Sequence, residues 1–209
     1  MLRILFMGTP DFAEMCLRAL VEDGQNVVGV ITQPDKQKGR GMQVQFCDVK
    51  KYAIEKALPV YQPETLKDCA ILPLLEELNP DIIVVVAYGK ILPEYVLKFP
   101  KYGCINVHGS LLPEYRGASP IQRAVIDGKK ITGVTTMYMD KGLDTGDMLL
   151  KREYEIGENT NTGEAFDDLA KIGAELLLET LDGLEKGSIV PVSQNENSAT
   201  YAEMLFMDE

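Results

Sequence analysis

Apolar residues gather in short unbroken runs at Ile4–Met7, Val27–Ile31, Ile82–Ala87, Cys104–Val107, Val134–Met139 and Met148–Leu150. Between them, apolar positions recur at helical spacing over Asp11–Glu22, Val49–Ala57, Ala70–Leu78, Pro120–Asp127 and Thr162–Leu184. Runs of this length read as strands, and the spaced stretches read as amphipathic helices. Strands alternating with helices, and fully apolar early strands, predict an α/β, Rossmann-like, mostly parallel sheet with helices on both faces. The last two runs alternate more and lie close together, so they are expected to form an antiparallel pair near the C-terminal side.

The punctuation refines this picture. Gly8-Thr9-Pro10-Asp11 offers Thr9 as a helix N-cap, with Pro10 at the first helical position and Asp11 in the first turn. The turn is not GxGxxG, and Asp11 sets negative charge where a phosphate would sit, which argues against a dinucleotide there. Thr32–Gln45, rich in Gly, Lys and Arg, reads as a long loop. Residues 1–190 are expected to form the main domain. From Ser193 the chain turns polar, and residues 191–209 read as a linker or tail.

Composition narrows the class. Of 209 residues, 45% are hydrophobic and 25% charged, as in an ordinary soluble domain. No run approaches the roughly 18 apolar residues that span a bilayer. The N-terminal apolar run lacks a signal-peptide cleavage site, so it reads as a buried strand and the expected location is cytoplasmic. Cys16, Cys47, Cys69 and Cys104 are scattered without a CxxC pair, which predicts neither a disulfide framework nor a zinc site. A net charge of −11 argues against nucleic acid as a partner unless basic residues cluster locally.

The candidate chemistry sits at two places. Asn106-Val107-His108 closes one apolar run, and Gly109-Ser110-Leu111-Leu112-Pro113-Glu114-Tyr115-Arg116-Gly117 follows. Residues i and i+2 of a strand share a side, so Asn106 and His108 project together at a strand's carboxyl end, where open α/β sheets place their crevice. His108 is the only histidine. An amide beside an imidazole makes a donor pair suited to a developing oxyanion. The second place is Gly142-Leu143-Asp144-Thr145-Gly146, where glycines flank a carboxylate able to fix an imidazole or manage a proton. Each feature alone also admits a structural reading: a satisfied strand-end histidine, a capping Asn and an ordinary turn.

Together, NxH, SLLPxYRG and GLDTG resemble the folate-dependent formyltransferases, and the likeness runs the length of the chain. The resemblance implies Asn106, His108 and Asp144 as the catalytic trio. It implies 10-formyltetrahydrofolate as co-substrate, with the folate packed against Ala87, Tyr88, Gly89, Lys90, Ile91 and Leu92 and against Ser110, Leu111, Leu112 and Pro113. It implies no metal. Within the family, Gly8-Thr9-Pro10-Asp11-Phe12-Ala13, Pro120-Ile121-Gln122-Arg123 and Thr32-Gln33-Pro34-Asp35-Lys36-Gln37-Lys38-Gly39-Arg40-Gly41 resemble the members that formylate methionyl initiator tRNA. There the loop carrying Lys36, Lys38 and Arg40 meets the acceptor end of the tRNA. Those members also carry a smaller C-terminal β-barrel domain, for which residues 191–209 would be the linker, and a monomer is expected. After Gly41 this loop reads Met-Gln-Val-Gln-Phe-Cys, less basic than the family pattern. The other readings are a formyltransferase acting on a nucleotide-linked amino sugar and a folate-binding module without catalysis.

Overall fold

A computed structural model describes residues 1–38 and 43–205. The chain divides into two compact units, residues 1–105 and 106–209.

The first unit contains β1 (Arg3–Gly8), α1 (Asp11–Glu22), β2 (Asn26–Ile31), β3 (Lys36–Lys38), β4 (Gln43–Gln45), α2 (Asp48–Glu55), β5 (Val60–Tyr61), α3 (Leu72–Leu78), β6 (Ile82–Val86), α4 (Glu94–Leu97) and the start of β7 (Cys104–His108). Its strand order is β7-β6-β1-β2-β5. The pairs β1–β2, β1–β6 and β2–β5 are parallel. From β1 the chain winds outward through β2 to β5, then returns to place β6 on β1's other side. That reversal is the switch point at which α/β sheets open a crevice. All five residues of β6, Ile82–Val86, are buried, as expected of a strand covered on both faces. Burying each such side chain is worth about 1.5–3 kcal/mol. Helix α1 buries Phe12, Ala13, Cys16, Leu17 and Leu20, a stripe at helical spacing.

Two local expectations are corrected here. Helix α1 begins at Asp11, and Pro10 is its N-cap, extended at φ −81° and ψ −178°. Proline lacks both a side-chain acceptor and an N–H, so no side-chain cap forms. The Thr9 hydroxyl instead accepts from the Gln33 N–H at 3.4 Å. The loop expected over Thr32–Gln45 contains an antiparallel hairpin, β3 with β4, pairing Lys36 with Gln45 and Lys38 with Gln43. Lys36-Gln37-Lys38 and Gln43-Val44-Gln45 hold a single apolar residue, too little for a strand signal.

The second unit contains the end of β7, then β8 (Arg116–Gly117), α5 (Pro120–Ile126), β9 (Ile131–Tyr138), β10 (Met148–Glu155), α6 (Thr162–Lys186), a 3-10 turn (Glu196–Ser198) and β11 (Tyr201–Ala202). Its ladder runs β7-β9-β10, and β9 with β10 is the expected antiparallel pair. Helix α6 starts in a capping box. The Asn161 side-chain Oδ1 accepts from Glu164 N–H, and the Glu164 carboxylate accepts from Asn161 N–H, both at 3.0 Å. It ends at Gly187, whose φ of 66° is the left-handed conformation of a helix C-terminus.

The stretch that reads as a tail is laid back on this unit. Val192 bridges Met148. Tyr201 and Ala202 form β11, parallel to β8. Ala202 is buried among Tyr115 and Ala124. Each contact uses one or two residues, too few for a periodic signal.

Candidate active site

Strand β7 carries Asn106 and His108 on one side at its carboxyl end, as the alternation requires. His108 is buried, with 5% of its surface exposed. Its Nε2 lies 2.8 Å from the Tyr115 carbonyl oxygen. A carbonyl only accepts, so Nε2 carries a proton and donates it. The remaining nitrogen, Nδ1, lies 3.6 Å from Asp144 Oδ2. That is ion-pair distance, longer than a hydrogen bond. The Asn106 amide donates to Asp144 Oδ1 at 3.4 Å, a long contact. The three side chains expected to share a site therefore meet around one carboxylate.

The turn holding Asp144 is built for this. Asp144 itself has a φ of 52°, a left-handed conformation that Asp tolerates better than most residues. A Cβ on Gly146 would stand 1.9 Å from the Tyr138 carbonyl oxygen, so only glycine lets the turn close on β9. The Gly117 N–H donates to Asp144 Oδ2 at 2.9 Å. A Cβ at Gly117, whose φ is 113°, would meet the Ala202 carbonyl oxygen at 2.8 Å. Gly117 is thus held between β11 and the carboxylate. The Gln194 side chain donates to the carbonyls of Asp144 and Gly146, both at 2.8 Å.

Reading the sequence missed four participants: the Tyr115 carbonyl, the Gly117 N–H, Arg116, which donates to Gln194 Oε1 at 3.0 and 2.8 Å, and Gln194. The first three lie inside SLLPEYRG, where a run of turn residues between two site residues was the available signal. Gln194 carried none, lying in a polar stretch far along the chain.

The residues expected to hold folate divide by exposure. Ala87 (φ 43°) and Gly89 (φ 75°) are exposed and left-handed, and Ile91 is 90% exposed. Tyr88 and Leu92 are buried. Gln33 Nε2 donates to the Tyr88 carbonyl at 2.8 Å. Lys90 Nζ donates to the carbonyls of Pro63 and Glu64. In the second unit, Ser110 is fully buried and donates to the Glu114 carbonyl at 2.6 Å. Leu112 is also fully buried and precedes the cis bond to Pro113. Its N–H donates to Thr135, and Lys151 donates to its carbonyl. Leu111 and Pro113 are partly exposed. Of the basic loop residues, Lys36 and Lys38 lie on β3, and Arg40 lies outside the described residues.

Among the described residues, no group of three or more His, Cys, Asp or Glu could hold a metal ion. The cysteines are free; burial pushes the Cys16 and Cys104 thiols up to about 12. No helix among the described residues is long and apolar enough to cross a membrane.

The fold is that of solved one-carbon enzymes. The phosphoribosylglycinamide formyltransferase of Streptococcus pneumoniae TIGR4 superposes with a TM-score of 0.74, at 22% identity over 88% of this chain and 99% of that one. A formyltetrahydrofolate deformylase from Pseudomonas syringae superposes with a TM-score of 0.75, at 21% identity over 92% of this chain and 66% of that one. The family described as formyl transferase matches residues 2–181, and the chain belongs to it. Among curated relatives, the methionyl-tRNA formyltransferase of Caldanaerobacter subterraneus subsp. tengcongensis is 56% identical over 98% of this chain and 66% of its own length. That of Clostridioides difficile (strain 630) is 51% identical over 98% and 66%. The chain thus spans about two thirds of the length of these relatives.

Proposed function

We propose that this chain transfers the formyl group of 10-formyltetrahydrofolate to the α-amino group of methionyl initiator tRNA. The reading is carried by one observation: the Asn106 amide and the His108 ring both face the Asp144 carboxylate. It is supported by relatives that share half or more of the sequence and bear that enzyme's name. The exposed, left-handed backbone at Ala87 and Gly89 offers a surface with little side chain of its own on which a flat ring could lie.

In the proposed reaction the amine nitrogen attacks the formyl carbon and a tetrahedral oxyanion forms. The bond from that carbon to the folate nitrogen then breaks, and the amine's proton passes to the leaving nitrogen. Asn106 contributes an amide N–H to the oxyanion. With Nε2–H committed to the Tyr115 carbonyl, His108 acts through Nδ1, which donates when the ring carries both protons. Asp144 then balances that charge, and takes up and hands on the amine proton directly or through water. One donor to such an oxyanion is worth about 2.7–4 kcal/mol. No metal takes part in the proposed steps. Lys36, Lys38 and Arg40 supply positive charge toward the tRNA in a chain of net charge −11. The enzyme is proposed to be cytoplasmic and to act as a monomer. Residues 1–190 form the body of its catalytic domain, and the stretch from Val192 to Ala202 docks on the second unit.

The acceptor is tested with formyl-labelled 10-formyltetrahydrofolate offered alongside methionyl initiator tRNA or a nucleotide-linked amino sugar. Label on the methionine is expected. Label on the sugar alone would move the chain to the other branch, and folate binding without transfer would make it a binding module.

A further inference from the structure

Residues 192–202 reach both working groups of the site. Arg116 is fully buried, and its guanidinium donates from Nε and Nη2 to Gln194 Oε1 at 3.0 and 2.8 Å. It also donates from Nη1 and Nη2 to the two Glu196 oxygens at 2.9 and 2.7 Å. A guanidinium only donates, so the oxygen of the Gln194 amide must face it. The amide nitrogen is then aimed the other way, at the carbonyls of Asp144 and Gly146. Those carbonyls only accept, so the two ends fix the same orientation independently. A few residues on, the Thr200 hydroxyl accepts from the Tyr115 N–H at 2.8 Å. Tyr115 is the residue whose carbonyl holds His108.

We infer that Gln194 and Thr200 are positioning residues. Gln194 ties the Asp144 turn to the buried Arg116, and Thr200 holds the peptide that orients the His108 ring. The inference rests on the proposed reading of Asn106, His108 and Asp144 as the site. It concerns a segment beyond residues 2–181, where the family match ends. Its physical basis is the local geometry. Asp144 sits in a left-handed conformation; the Gly117 N–H holds its carboxylate, and Gln194 adds a hold on the backbone carbonyls on either side of Thr145. The long contacts, 3.4 and 3.6 Å, leave little room for drift before the pairing is lost.

The test uses the intact protein with Gln194→Glu and Thr200→Val. Gln194→Glu keeps an oxygen for Arg116 and removes both N–H donors to the turn. Thr200→Val keeps the shape and removes the acceptor for Tyr115 N–H. Each is expected to lower kcat about tenfold or more, since about 1 Å of misplacement costs up to about 10²-fold. KM for the formylfolate should stay close to the parent's. Because His108 is the sole histidine, its ring nitrogens give one unambiguous set of NMR signals, which should move in Thr200→Val. A lowered melting temperature with parental kcat would make the segment purely structural and overturn the inference. So would parental values of both. If Gln194→Glu fails to fold, Glu196→Gln, at an exposed side chain, loosens the same anchor and should lower kcat less, in the same direction; a parental kcat there would refute the role of Gln194. Asp144→Asn separates the two levels: full activity in that variant sinks the proposed site, whereas its loss beside a parental Gln194→Glu sinks the positioning role alone.

Discussion

Replacing Asp144 by Asn changes one atom and keeps the shape of the side chain, so it isolates the charge. In the parent, Oδ2 accepts from Gly117 N–H at 2.9 Å and lies 3.6 Å from His108 Nδ1, while Oδ1 accepts from Asn106 at 3.4 Å. An asparagine has one acceptor oxygen. If that oxygen stays with Gly117, its NH2 confronts the NH2 of Asn106, and donor meets donor. Asn106 must then turn over and withdraw the group proposed to meet the oxyanion. In the proposed step the doubly protonated His108 ring also loses its counter-charge. At 3.6 Å and an effective dielectric constant of about 20 that attraction approaches 4–5 kcal/mol. Part of it is offset by the desolvation of a pair that is largely buried. What remains, with the displaced amide, predicts a fall in kcat of about 10²–10⁴-fold. The stability cost should be only about 1 kcal/mol, the worth of one exchanged hydrogen bond. Single-turnover transfer of labelled formyl measures the first, and thermal unfolding the second. Parental transfer by a folded Asp144→Asn variant would refute the reasoning.

Other substitutions and conditions probe separate links. Gly146→Ala drives a Cβ to 1.9 Å from the Tyr138 carbonyl oxygen, where only backbone can yield. It should cost about 1–3 kcal/mol or more, a drop of several degrees in melting temperature. Asn161→Ala removes the acceptor of the α6 capping box and should cost about 1 kcal/mol by denaturant unfolding, with transfer unchanged. Burial lifts the Cys16 and Cys104 thiols from 9.0 to about 12, while Cys69 is exposed. A thiol-alkylating reagent should therefore mark Cys69 first in the folded chain. The sign of the linkage also follows. The contribution is fully present below pH 9.0 and is lost as pH rises toward 12, because only the unfolded chain ionises these thiols in that window. Arg40→Ala should weaken use of the tRNA more than binding of formylfolate.

Much of the fold was legible because it is written in period and run length. Ile82–Ala87 announced a doubly covered strand, and the spaced apolar face of Asp11–Glu22 announced α1. Strand alternation also put Asn106 and His108 on one side, whereas grouping Asp144 with them, as the structure does, was readable only through the family resemblance. What escaped was structure made by single contacts. Nothing periodic marks Val192, Thr200 or Ala202, which dock through backbone hydrogen bonds, the Thr200 hydroxyl and one buried methyl. The hairpin of Lys36–Lys38 with Gln43–Gln45 escaped because Val44 is the one apolar residue in either strand. Arg116 escaped for another reason: an arginine in a turn sequence reads as solvent-exposed, whereas here Gln194 and Glu196 meet its donors and allow full burial.

The most direct test of the central claim is formyl transfer by His108→Ala, compared with the parent in a single turnover on methionyl initiator tRNA. A folded variant that binds formylfolate as the parent does yet leaves the methionine unlabelled is the predicted result. Labelling at the parental rate would contradict it, and with it the placing of the chemistry at the end of β7.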